Sequence, residues 1–217
     1  MRIPLLIAAG LLAISLSGCE ALGLVLGKTA EVVQGPPKTT PSFSLQGKNL
    51  VILVDVANQD LLEVYPTIRY RVAMAVAQEL GRKRAASSIT SPRDLMTYAQ
   101  TEPDYSRKSA VEIGKHFGAD TVLHLVVESY GLGRAAGAEN FSGLAEVGLR
   151  VIDLAKAAQV YPDTDRFQVL SVKSSTGITA ETPSQAEAKI LDALALKVGQ
   201  LFVEYEVESL PRKPEVK

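Results

Sequence analysis

Two apolar runs decide what this chain can fold into. Asn49 to Ala57 (NLVILVDVA) and Asp120 to Tyr130 (DTVLHLVVESY) are rich in β-branched residues, have strand length and show no helical period. Such runs suit strands covered on both faces, because a strand with one wet face would alternate apolar and polar residues. Between them the pattern changes. Pro66 opens a stretch in which Ile68, Val72, Val76 and Leu80 recur every four residues, with Ala73 and Ala77 alongside and Gly81 as the stop. That spacing predicts an amphipathic helix. A short extended piece at 87–90 follows, then a brief helix from Ser91-Pro92 to Tyr98, then a helix over 106–117 whose inward face is Ala110, Ile113 and Phe117, with Gly118 at its left-handed C-terminal position. A strand reached through helices after an earlier strand joins it in parallel by a right-handed crossover.

The second half reads as a hairpin and a helix. Leu144 to Leu154 alternates, with Val147, Leu149 and Val151 on one face, and Phe167 to Lys173 is expected to pair with it across a turn containing Pro162 and Asp163. Ser184 is expected to cap a long helix to about Tyr205 carrying the stripe Leu191, Leu194, Val198, Leu201 and Tyr205. The order β-α-β-α-β-β-β-α predicts an α/β (α+β) fold, a mixed β-sheet with helices packed on it.

The amino terminus carries a different signal. Arg2 is followed by the apolar stretch Ile3 to Leu16, and the small residues Ser17 and Gly18 precede Cys19, the only cysteine of the 217 residues. The apolar run is broken by Ser15, Ser17, Gly18 and Glu20, short of the roughly 20 residues a membrane-spanning helix needs. Leu16-Ser17-Gly18-Cys19 resembles a bacterial lipoprotein signal. The resemblance implies cleavage between Gly18 and Cys19 and lipidation of Cys19, and acyl chains worth about 0.8 kcal/mol per buried methylene would hold the protein to a membrane. Glu20, in place of aspartate after the cysteine, is similar to outer-membrane cargo of double-membraned bacteria, which puts the chain on the periplasmic face of that membrane.

The domain organisation expected is a signal peptide at 1–18, a lipidated tether at 19–47, one α/β domain at 48–207 and an unfolded tail at 208–217. The tether assignment rests on Gly35-Pro36-Pro37, Pro41 and neighbouring Thr and Ser, and the tail assignment on Pro211, Pro214 and mixed charge. With 23 basic and 24 acidic residues the formal net charge is −1, which lacks the basic footprint of a nucleic-acid binder. With Cys19 committed to lipid, no disulfide can form, so stability must come from the packed core.

A second resemblance lies in Val111 to Tyr130 (VEIGKHFGADTVLHLVVESY), where a helix passes through Gly118-Ala119-Asp120 into a strand. This resembles periplasmic domains related to the amino-terminal domain of the Tol-Pal translocation protein, and it is similar to curli-secretion lipoproteins and to lipoprotein activators of penicillin-binding proteins. Leu149 to Pro162 (LRVIDLAKAAQVYP) reads like their later hairpin, and Ser91 to Leu95 (SPRDL) is similar to a group of uncharacterised secreted lipoproteins. The likeness covers most of residues 48–207. It implies an envelope module that binds other envelope proteins, and its motifs are signatures of fold and not of chemistry.

No reactive constellation stands out. His116 and His124 are the only histidines and lie at no metal-ligand spacing, and no cofactor is expected. Gly131 to Gly137 follows a strand, but its glycines miss the dinucleotide-loop spacing, so it reads as a flexible connection. Asp55 ends the first strand, where α/β sheets face ligand crevices, and with Asn58, Asp60 and Glu63 it forms the one loop that a small-ligand hydrolase would use. Asp55, Asn58, Asp60 and Arg134 are therefore the expected ligand or partner contacts. The Arg82-Lys83-Arg84 cluster suits a solvated helix end. The leading reading is a non-enzymatic interaction or assembly module with an envelope protein as partner. The alternatives are a subunit of an oligomeric secretion pore, for which 131–143 is too short to supply spanning strands, and the hydrolase.

Overall fold

The computed structural model describes residues 38–134, 139–173 and 180–206. Six strands form one mixed sheet: β1 (Asn49–Val56), β2 (Ser88–Ile89), β3 (Thr121–Gly133), β4 (Ser142–Asp153), β5 (Ala158–Tyr161) and β6 (Gln168–Lys173). Their order is β2-β1-β3-β4-β5, with β6 also paired to β4. The two apolar runs are neighbours, parallel over seven register pairs from Leu50↔Thr121 to Val56↔Val127, and β4 runs antiparallel to β3. The α/β (α+β) class and the mixed sheet are as the sequence predicts.

Helices cover the two faces unequally. α1 (Asp60–Val64) is a single turn after β1; α2 (Ile68–Arg82) and α5 (Pro183–Gln200) pack on the first face. There Leu50, Ile52 and Val54 of β1, Leu123 and Leu125 of β3, and Val147 and Leu149 of β4 meet Val72, Val76, Ile190 and Leu194. Burying each such side chain contributes about 1.5–3 kcal/mol. α3 (Pro92–Thr101) and α4 (Ala110–His116) lie on the second face, where Leu95 and Ile113 cover Val51, Leu53, Val122 and Ile152. The Cβ of an alanine at Gly114 would lie 2.6 Å from Val122 Cγ2 and 2.7 Å from Leu154, so α4 sits this close only because position 114 has no side chain.

Several boundaries differ from the sequence reading. Gly81 lies inside α2, and the left-handed residue that turns the chain is Arg84, at φ 53°. α4 starts at Ala110, because Ser109 and Glu112 form a reciprocal capping box there; the preceding Tyr105–Arg107 is a 3₁₀ turn. Thr182 caps α5 in place of Ser184, its hydroxyl accepting from Gln185 N–H, and the helix ends at Gln200. β5, which pairs with the far end of β4, is too short at four residues for alternation to reveal it.

Residues Thr39–Tyr205 form one compact unit. In the other unit the described residues, Lys38 and Glu206, form an antiparallel bridge. The tether boundary at 47 is corrected: Ser42 and Phe43 amides donate to Leu201 O, and Leu45 is fully buried in the first-face core. Two apolar side chains, Phe43 and Leu45, outweigh the Pro/Thr composition around them. Likewise Gly131, Leu132 and Gly133, expected in a flexible connection, continue β3 and pair with Leu144, Gly143 and Ser142. A Cβ at Gly143 would come within 2.7 Å of Leu132 Cδ2, so glycine permits this close crossing. Residues 135–137 of that connection, the signal with Gly18 and Cys19, and the tail lie outside the described residues.

Candidate functional site

Alternation places Val51, Leu53 and Asp55 of β1 on the second face, with Val122, His124 and Val126 of β3 and Gly148, Arg150 and Ile152 of β4. The apolar members at one end of this face lie under α3 and α4. The polar members lie just beyond that cover. The registers Leu53↔His124 and His124↔Arg150 set His124 between the other two side chains.

The three side chains form a continuous hydrogen-bonded ladder across the strands. Asp55 Oδ2 lies 2.8 Å from His124 Nε2, and Arg150 Nε–H donates to His124 Nδ1 at 3.0 Å. A guanidinium has only donors, so Nδ1 must present its lone pair; the ring proton then sits on Nε2 and is donated to the Asp55 carboxylate. His124 is 7% exposed. Phe167 closes the far end, with its ring edge-on to the imidazole at 5.8 Å and the Arg150 guanidinium 4.7 Å over it.

Electrostatics hold the ladder's acid ionised. The hydrogen bond from His124 holds the Asp55 carboxyl below the usual carboxylate range; partial burial opposes this, and the positive charges of Arg69 and Arg150 reinforce it. Arg69, on α2, has a buried Nε with no hydrogen-bond partner among the described residues. Tyr105 is pushed above the usual phenol value, first by burial and then by the Asp55 charge.

Of the residues expected to make contacts, only Asp55 belongs to this ladder. Asn58 Oδ1 accepts from the Asp60 N–H at 3.0 Å, so both shape the turn into α1. Arg134 lies eight residues along the chain from Val126, the register partner of Asp55, roughly 25 Å away at strand spacing. Its guanidinium covers the Phe141 ring at 4.3 Å. Sequence reasoning did not connect His124 and Arg150 with Asp55, because their meeting depends on the register of three strands. His116 is exposed and stacked on Tyr98 at 3.9 Å between centroids.

Past the ladder, the second face is left without a covering helix among the described residues. It continues through Val126, Gly148 and Val169 to Glu146 and Leu144, with Val169 46% and Leu144 40% exposed. Both imidazole nitrogens are engaged, so the ring offers no free lone pair to a substrate proton. The arrangement can stiffen a sheet surface and present the charge of the half-exposed Asp55 carboxylate. Among the described residues no group of three or more metal-ligating side chains converges, and no helix is long and apolar enough to cross a membrane.

The sequence matches no family model and no curated protein. Solved structures are similar at low identity. The PelC dodecamer from Paraburkholderia phytofirmans is 14% identical, with 77% of this chain and 96% of that one covered and a TM-score of 0.46. Lipoprotein GNA1162 from Neisseria meningitidis is 13% identical, with 69% and 97% covered and a TM-score of 0.42. TolB from Acinetobacter baumannii is 15% identical, with 74% of this chain but 30% of TolB covered and a TM-score of 0.29.

Proposed function

We propose that this chain is a lipid-anchored protein of the bacterial envelope that acts as a non-enzymatic interaction module on the periplasmic face of the outer membrane. The observation that carries this reading is the closed Asp55–His124–Arg150 ladder. Both nitrogens of the His124 ring are engaged by its neighbours, and the ladder borders a half-sheet that no described helix covers. Such a surface is held rigid for contact, with its imidazole locked between two partners. A lipid on Cys19 would confine the domain to a membrane, where a shared surface raises its effective concentration toward an envelope partner without any new contact.

Chemical cross-linking of the native envelope, followed by isolation of this protein and identification of its neighbours by mass spectrometry, tests the reading. Repeated capture of one envelope protein by the native chain, lost in Cys19→Ala, is the expected result. Capture of copies of this chain alone, or of nothing, contradicts it.

A further inference from the structure

A second surface lies at the opposite edge of the sheet. β2 is the terminal strand, and no described strand pairs beyond it. The Thr90 amide donates to Leu50 O, and the Ser88 amide points to Lys48 O. In a parallel ladder successive residues face opposite ways, so the N–H and C=O of Ile89 point outward, with no partner among the described residues. Beside this edge a groove of about 430 Å³ runs between β2 and α2, floored by Met74, Ala77, Ala86 and Ile89. That volume falls within the roughly 300–1,000 Å³ common for binding sites.

The rim of the groove is cationic. Arg84 lines it and Arg93 follows directly on the lining residue Pro92; both are exposed, and neither meets a carboxylate among the described residues. Nearby, Arg82 is held by Glu79 and Lys83 lies over the Tyr205 ring. Arg84 is the charged residue that lines the groove itself, and it makes the rim positive. The Arg82-Lys83-Arg84 cluster thus borders a groove as well as ending a helix.

From this edge, groove and charge we infer that β2 receives an extended acidic segment of a protein partner, added to the sheet as a further strand. Main-chain bonds to Ile89 would hold it, apolar side chains would enter the groove, and its carboxylates would meet the exposed Arg84 at the rim. A second copy of this chain is the poorer occupant, because edge-to-edge pairing would set the same arginines against each other. The inference deepens the interaction reading above, on which it rests, by naming the surface and the chemistry of what binds there.

Fluorescence anisotropy of the full-length protein with labelled hexapeptides tests it. The probes are an alternating Val-Glu peptide, an alternating Val-Lys peptide, and the Val-Glu peptide with its central amides N-methylated. The expected result is saturable binding of the Val-Glu peptide, about tenfold tighter than the Val-Lys peptide, lost on N-methylation, with the Ile89 amide newly protected from hydrogen exchange. The double variant Arg84→Glu, Arg93→Glu, with an unchanged circular dichroism spectrum, should reverse the preference. No saturable binding, equal binding of both peptides, or binding indifferent to N-methylation overturns the inference. These failures are distinct from loss of anchor-dependent capture in the envelope, which would remove the functional reading and leave the edge's binding intact.

Discussion

Tyr130 and Tyr65 touch ring to ring yet should respond to the same substitution with opposite sign. Their centroids are 4.9 Å apart and nearly perpendicular. Tyr130 is 6% exposed, and its hydroxyl is buried with no hydrogen-bond partner among the described residues. Burial also pushes that hydroxyl well above the usual phenol value. An unpaired buried hydroxyl costs about 1–3 kcal/mol. Tyr130→Phe removes this cost and keeps the ring contact, while leaving a void the size of one oxygen, so the net gain should fall near 1 kcal/mol. Over a unit the size of Thr39–Tyr205 that is a rise of about 2–4 °C in Tm. Tyr65 differs because its hydroxyl oxygen accepts from the Leu132 N–H at 3.2 Å. Tyr65→Phe should therefore lose about 1 kcal/mol. Urea unfolding of a soluble Cys19→Ala form, followed by circular dichroism, measures both. A loss of stability in Tyr130→Phe would refute the reasoning, since it would mean the hydroxyl is paired in solution.

Two further outcomes follow from the core and the ladder. Leu45→Ala should cost about 2–5 kcal/mol in urea unfolding if the segment before β1 is part of the folded unit; a change near zero would restore the tether boundary to 47. Asp55→Asn should alter the dependence of stability on pH. Because the folded-state carboxyl lies below its ordinary value of 3.8, its contribution is full above that value and is lost as pH falls through the folded one. Unfolding curves of native and variant chains should therefore converge in strong acid and separate toward neutrality, and a constant gap across that range would contradict the assignment.

How much of this was legible in the sequence depended on the range of the physics involved. Strands β1 and β3 could be read because each is a continuous apolar run, and their parallel pairing followed from the helices between them. The α4 capping box lay in plain view as Ser109 and Glu112, but the helical period alone placed the start earlier. β5 and the Gly131–Gly133 end of β3 were missed because their pairing is set by β4, not by their own residues. Leu45 was hidden for the same reason, its burial being decided by the first-face core that it joins and not by its neighbours in sequence. At the candidate site, Asp55 was singled out by its strand-end position alone. His124 and Arg150 joined it only when a register of three strands was known, since no local pattern encodes a contact across 69 residues.

The account turns on the imidazole of His124 being engaged at both nitrogens. Nitrogen-15 spectra of histidine-labelled protein near neutral pH, with His116→Gln to assign the two rings, report this directly. The account expects the His124 proton on Nε2, slow to exchange, with Nδ1 an unprotonated acceptor. A proton on Nδ1, or a ring exchanging rapidly between tautomers, would contradict the closed ladder and return a free base to the edge of the sheet.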